Sequence, residues 1–436
     1  MAADNIGTTM YRWAEDLFPI NRSLTGEGVR KTLQYIKALI PELTLHEIPT
    51  GTVCYDWTVP QEWQICEAFL MDDSGNKIVD FRNNNLHVVG YSVPVDQEMS
   101  FEELDAHLYY LKELPDAIPY VTSYYTKRWG ICLSYNQYKA LDRTKRYRVK
   151  IDASHFQGAL TYAELLIPGQ STQEIFLSTY ICHPSMANNE LSGPVVATAL
   201  AQYLLGCNER KYSYRIVFAP ETIGAICYIS KHLNTLKQNV VAGFNLTTIG
   251  DDRLFSFVPS RNGNTLADRA ARHILKHSGE KVVYYSFLDR ASDERQYCFP
   301  GVDLPFVTVC RSKYHAYPEY HTSLDNMDLI SPKGLEGGFH MLKNIIELLE
   351  KNAIYRVTTI GEPQLGKRGL YPTVSTKESR RSIEAMMNFI TYADGAKDLI
   401  EIADIIKVNA QTLYVIIENL KRASLLETVE NYNVQQ

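Results

Sequence analysis

Between residues 174 and 350, short apolar runs alternate with amphipathic segments, and few folds accommodate that order. The runs EIFLSTYI, YRIVFA, VVAGFNLTTIG and LPFVTVC have the length of strands. Between and after them the spacing predicts helices over 193–205, 224–236, 265–277 and 334–350. Strands that alternate with helices pair mostly in parallel and are covered by helices on both faces.

The flanks read differently. Residues 10–40 predict two amphipathic helices joined at SLTGEG, the second carrying Val29, Leu33, Ile36, Leu39 and Ile40 and stopped by Pro41. From about 51 to 149, short alternating runs broken by turns predict a separate β-rich module. A Gly- and Pro-containing linker, GEPQLGKRGLYPTVSTKES, precedes a helical tail whose turn at Val408 and Asn409 and final LLETVE resemble a winged helix-turn-helix. The expected fold is α/β, with a mixed, mostly parallel sheet sandwiched by helices and built from 1–50 and 150–355. A β-rich domain is inserted at 51–149, and a winged-helix-like domain occupies 370–436.

Charge and composition remove several function classes. The net charge of −6 offers no global field for nucleic acid or an anionic membrane. Residues 361–436 hold nine basic against ten acidic side chains, which disfavours duplex DNA and favours protein docking or dimerisation for the tail. No run of about 20 apolar residues and no leader pattern is visible, so a cytoplasmic protein is expected. The eight cysteines form no CxxC pair, which leaves histidine and carboxylate as the ligands to look for.

In open α/β sheets ligands bind beyond the carboxyl ends of the strands. The first run leads to Cys182 and His183 and then PSMANNELSGP; the second leads to Glu221; the third ends at Asp251 and Asp252. Later loops bring Asp293, Glu294 and Arg295, then Glu319, His321, Asp325 and Asp328. Two imidazoles with carboxylates suit one divalent metal, zinc the first candidate, with Glu221 moving the proton. The structural alternatives are plain: Glu221 caps a helix, Asp325 caps another, and each histidine is a hydrogen-bonded core residue.

The runs CHPSMANNELSGP, APETIG, NLTTIGDDR, SDERQYCFPGVDLP and PEYHTSLDN, with FPINRSLTGEGVRKTL and YDWTVPQEWQICEAF, resemble bacterial polysaccharide-biosynthesis proteins with an aminopeptidase-like domain. That group is similar to zinc aminopeptidases of the leucyl aminopeptidase and glutaminyl cyclase type. The resemblance implies His183 and His321 as metal ligands, Glu221 as base, and Asp293 as an active-site carboxylate. The chain departs at three expected carboxylate ligands, where Asn189, Thr222 and Thr247 stand. One metal rather than two is therefore expected, drawn from His183, Asn189, Glu190 and His321, with Glu294 as an alternative carboxylate. Glu221, Asp293 and Asp325 are assigned to catalysis, and Glu294, Arg295 and Glu319 to substrate contacts. The implied activity is hydrolysis of a small peptide or related amide, in a chain free to form a homo-oligomer. The alternative is a catalytically inactive scaffold that recognises a small polar or amino-sugar ligand.

Overall fold

The computed structural model describes residues 5–370 and 377–429, and every element below is counted among those residues. Residues 371–376 of the expected linker, 430–436 of the expected winged-helix domain, and 1–4 lie outside them. The chain divides into two compact units. One comprises residues up to Asp268 together with Lys281–His340, the other Arg269–Glu280 together with residues from Met341 onward.

The first unit begins with α1 (Ile6–Leu17), where the Asn5 side chain accepts the Gly7 N–H at 2.7 Å and the helix buries Met10, Trp13, Ala14 and Leu17 on one stripe. Helix α2 (Glu27–Leu39) and strand β1 (Thr44–Pro49) follow. The inserted module contributes β2 (Glu62–Asp72), β3 (Lys77–Asp80), β4 (Val95–Ser100) and β5 (Arg146–Phe156), which form an antiparallel sheet in the order β3-β2-β5-β4. Tyr147, Val149, Ile151 and Ala153 alternate inward along β5. Pairing with β2 carries β5 on to Phe156, beyond the expected limit at 149.

The large sheet takes β1 and then β6 (Ala159–Ile167), β7 (Glu174–Tyr180), β8 (Ser213–Ala219), β9 (Val240–Leu246), β10 (Phe255–Val258), β11 (Val282–Tyr284) and β12 (Phe306–Cys310). Its order is β1-β6-β8-β7-β9-β12-β10-β11. Strands β8, β7, β9 and β12 run parallel, while β1, β6 and β10 introduce antiparallel pairs. Every residue of β7 is buried, as a central strand covered on both faces requires. The connecting helices are α3 (Ser192–Leu205) and α4 (Ile223–Asn239), with α5 (Leu266–His277) and α6 (Pro332–Lys351) further on. Successive strands fall on opposite sides of β7, which opens a crevice at the carboxyl ends of β7, β8 and β9.

In the second unit, β13 (Ile354–Val357), α7 (Lys377–Tyr392), β14 (Asp394–Asp398), α8 (Leu399–Ile405), α9 (Ala410–Arg422) and β15 (Leu426–Thr428) form a winged helix with sheet order β14-β13-β15. Its first strand lies ahead of the Gly- and Pro-containing stretch, so this unit starts earlier than the expected residue 370. No helix among the described residues is long and apolar enough to cross a membrane.

Candidate functional site

Each strand end that forms the crevice turns sharply. Ser185 after β7, Thr222 after β8 and Thr248 after β9 have φ values of 41°, 65° and 43°, and His321 has 56°. Such conformations cost about 1–3 kcal/mol each in a non-glycine residue and concentrate at functional sites. A single π-turn, Ala187–Leu191, opens into α3. Asp325 fixes that turn: its carboxylate accepts the backbone N–H groups of Ala187, Asn188 and Asn189 at 3.1, 2.6 and 2.9 Å and the Tyr317 hydroxyl at 2.8 Å. Asp325, assigned to catalysis from the sequence, is placed as an anchor for the loop that carries Asn189 and Glu190.

The two imidazoles meet. The ring centres of His183 and His321 are 5.4 Å apart, and Tyr120 from the inserted module stands 5.2 Å from each. Tyr320 stacks on His321 at 3.9 Å, and Tyr180 lies 5.2 Å from His183. Burial, reinforced by Arg22, pushes the His183 pKa down to about 3. Burial, with His183 and His315 adding to it, pushes His321 down to about 2, so both rings are neutral near pH 7. Nδ1 of His183 is 2.9 Å from Glu190 Oε2, while its Nε2 lies 3.5 Å from Glu221 Oε2. Nε2 of His321 is buried and has no hydrogen-bond partner among the described residues.

Charged side chains behind the rings complete the arrangement. Arg22 is buried, donates from Nε to the His183 carbonyl at 3.0 Å and lies 3.4 Å from Glu190 Oε1. Burial raises the Glu190 carboxyl to about 8 against the pull of Arg22. Burial and the neighbouring Asp293 likewise raise Glu221, and Arg295 opposes them. Asp293 accepts the Thr222 N–H at 2.8 Å and so holds the turn that presents Glu221.

The three positions where a second metal would need carboxylates are otherwise engaged. The Tyr180 hydroxyl donates to Asn189 Oδ1 at 2.7 Å and lies 2.5 Å from Thr247 Oγ1; Arg295 donates to Thr222 Oγ1 at 2.6 Å. Neutral side chains at these three positions, one of them held by a guanidinium, do not fit two divalent ions, whose charge needs anionic ligands. Cys182, His183 and Glu190 bring ligand atoms within 4.8 Å of one another. Glu190 Oε2 is nevertheless taken by His183 Nδ1, its Oε1 lies 3.4 Å from Arg22 Nε with no hydrogen-bond partner among the described residues, and Cys182 Sγ receives the Glu221 N–H. The donors that do fit one ion are Nε2 of His183 and Nε2 of His321, since two imidazoles on one tetrahedral ion place their ring centres roughly 5 Å apart.

The remaining expected residues are placed differently. Glu294 is fully buried and accepts from the N–H groups of Ala291 and Ser292, from Tyr314 and Thr308, and from Asn245. With five donors it is a core carboxylate, out of reach of substrate or metal. Glu319 pairs with Arg253 at 2.7 Å on the surface, and Asn189 is turned to Tyr180. Of the residues assigned to substrate, Arg295 alone stays beside Glu221, through Thr222. Sequence reasoning missed Arg22, Tyr120 and Tyr180. A buried arginine looks like a surface one in sequence, and Tyr120 is supplied by another module.

Comparison with known proteins shows the family and the fold. A family model described as a domain of unknown function (DUF4910) matches residues 11–352, and one described as winged helix-turn-helix matches 353–428. A protein of Clostridium acetobutylicum named "Putative polysaccharide biosynthesis protein with aminopeptidase-like domain" is 39% identical over 425 residues, 97% of each chain. A crystal structure of a "putative peptidase" from the same species superposes with a TM-score of 0.92 at 38% identity, covering 97% of this chain and 96% of that one. A zinc aminopeptidase from Bacillus subtilis superposes at 0.56 with 12% identity, over 79% of this chain and 94% of that one; this likeness shows the fold alone.

Proposed function

From the premise that this chain belongs to the DUF4910 family, with an aminopeptidase-like fold and a winged helix-turn-helix behind it, we propose that the crevice is the site of a peptidase-like hydrolase. Its substrate is a small peptide or related amide, and it uses one divalent cation, zinc being the first candidate. The observation that carries this reading is the buried Nε2 of His321, without a hydrogen-bond partner among the described residues, with its ring 5.4 Å from that of His183.

His183 and His321 would hold the ion through Nε2, and when bound it would polarise the scissile carbonyl. The chain's own groups do the rest. Glu190, backed by Arg22, fixes the His183 ring through Nδ1, the arrangement by which a second carboxylate orients a ligating imidazole. Glu221 Oε2, 3.5 Å from His183 Nε2, moves the proton, and Asp293 holds the turn that aims it. Tyr120 walls the rings on the side of the inserted module: its N–H donates to the His321 carbonyl at 2.9 Å. That wall favours small substrates. The relative's name suggests an amide-bearing precursor in polysaccharide biosynthesis.

The second reading is an inactive binding protein, and the closed Asn189–Tyr180–Thr247 network favours it. Elemental analysis of protein purified without a metal-affinity tag, before and after incubation with zinc, tests both. We expect near one equivalent of metal together with turnover on a panel of aminoacyl amides. No metal after incubation and no turnover would overturn the hydrolase and leave the binder.

A further inference from the structure

The segment between α1 and α2 borders two adjoining spaces outside the His183–Glu221–His321 site. The outer one is a groove of about 420 Å³ walled by Asn21, Ser23, Thr25, Lys31, Trp63 and Gln64. Small-molecule sites begin at about 300 Å³. The inner one measures about 10 Å³, shares Asn21, Ser23 and Trp63 with the groove, and adds Arg22, Tyr120 and Tyr124. It has room for a single water-sized group. Trp63 is a fixed wall, since its Nε1 donates to the Ser92 carbonyl at 3.0 Å and its ring stacks on Tyr91 at 5.6 Å.

Arg22 lines the inner space with a donor that lacks an acceptor. Its Nε donates to the His183 carbonyl and its Nη1 to the Leu17 carbonyl, whereas Nη2 is buried with no partner among the described residues. The chemistry of the missing acceptor follows from what is already used. A carboxylate or phosphate prefers two parallel N–H groups of the guanidinium fork, and here only Nη2 remains. The positive charge is already faced by Glu190 at 3.4 Å. An uncharged oxygen, hydroxyl or carbonyl, fits better. The groove beside it presents the amides of Asn21 and Gln64 and the ammonium of Lys31, donors to which sugar hydroxyls are acceptors, while the buried Ser23 and Thr25 hydroxyls are engaged with the Thr25 carbonyl and with Tyr91 at 2.6 and 2.5 Å; Glu27 on the rim is paired with Arg30 at 3.0 Å.

We propose that this groove binds an uncharged, polyhydroxylated ligand, a sugar unit, held by Asn21, Gln64 and Lys31 with one oxygen inserted onto Arg22 Nη2. The groove walls hold no metal donor or base, while the inner space shares Arg22 and Tyr120 with the proposed hydrolase site, so the groove residues Asn21 and Gln64 are the ones that separate the two readings.

Saturation-transfer NMR on the full chain tests it, with N-acetylglucosamine, chitobiose, glucose and maltose as probes and acetate and inorganic phosphate as anionic comparators. Transfer to ring protons of at least one sugar is expected, and none to acetate. The double variant Asn21→Leu/Gln64→Leu, folded by circular dichroism, should bind that sugar about tenfold more weakly, as removal of two hydrogen bonds implies. Arg22→Lys should weaken it further, and the rim variant keeps the test decisive if that substitution unfolds the chain. The zinc-site variant His321→Ala should bind the sugar as the parent does, so failure of the hydrolase reading leaves this result untouched. No transfer to any of the four sugars, unchanged binding in the rim variant, or preference for acetate or phosphate overturns the proposal and leaves a structural water on Arg22.

Discussion

Two histidine pairs in this chain lie close together and are chemically opposite. His183 and His321 have ring centres 5.4 Å apart; His273 and His277, one turn apart on α5, are at 4.7 Å. The second pair joins Asp404 in a trio whose ligand atoms lie within 4.8 Å, a spacing that would suit an ion. Yet His273 is fully engaged. Its Nε2 accepts the Ala410 N–H at 2.9 Å at the start of α9, so its Nδ1 carries the proton that faces Asp404 at 2.9 Å. His277 alone retains an open nitrogen, and one imidazole does not make a site. In the first pair, by contrast, Nδ1 of His183 faces Glu190, its Nε2 faces Glu221 at 3.5 Å, and Nε2 of His321 has no hydrogen-bond partner among the described residues. Spacing brings histidines together; the free lone pair decides whether they can take a metal.

The largest test of that contrast is His183→Ala or His321→Ala, each of which should reduce bound metal to background by elemental analysis, while His273→Ala leaves the stoichiometry unchanged. Full metal in both of the first two variants would reverse the assignment of the pairs. Next in size, Glu221→Gln should keep the metal and lower kcat by about 10²–10⁴-fold, the range for a general base; unchanged turnover would remove Glu221 from the mechanism. Glu190→Gln should weaken metal about 10–100-fold in chelator competition, as loss of an orienting carboxylate does. The smallest effect is expected at His273→Ala, which strands the Ala410 N–H and should cost about 1–3 kcal/mol of stability, read as a lower Tm without change in metal or turnover.

The parallel centre of the sheet was legible because β7, β8, β9 and β12 are continuous apolar runs separated by helical spacing. The edges were less so. β6 pairs antiparallel with β1, more than a hundred residues earlier, and no local pattern announces that partner. β13 is four residues long and becomes part of the winged helix only by pairing with β14 and β15 across the linker. His183, Glu221, Asp293 and His321, singled out by their places after strands and by family resemblance, lie together in the crevice. Glu294 and Asp325 were misassigned for a physical reason: a carboxylate after a strand reads the same whether it faces solvent or accepts four or five internal hydrogen bonds.

The order of residues alone determined the layered α/β architecture, the winged helix that follows it in the chain and the absence of three ligand carboxylates, since hydrophobic periodicity and side-chain identity are local properties. The tertiary structure decided which nitrogen of each imidazole is free, that Arg22 stands behind Glu190, and that Tyr120 from a different module closes over both rings. Those outcomes depend on contacts between residues as much as 201 positions apart in the chain, such as Tyr120 and His321, and only folding brings such groups within reach of one another.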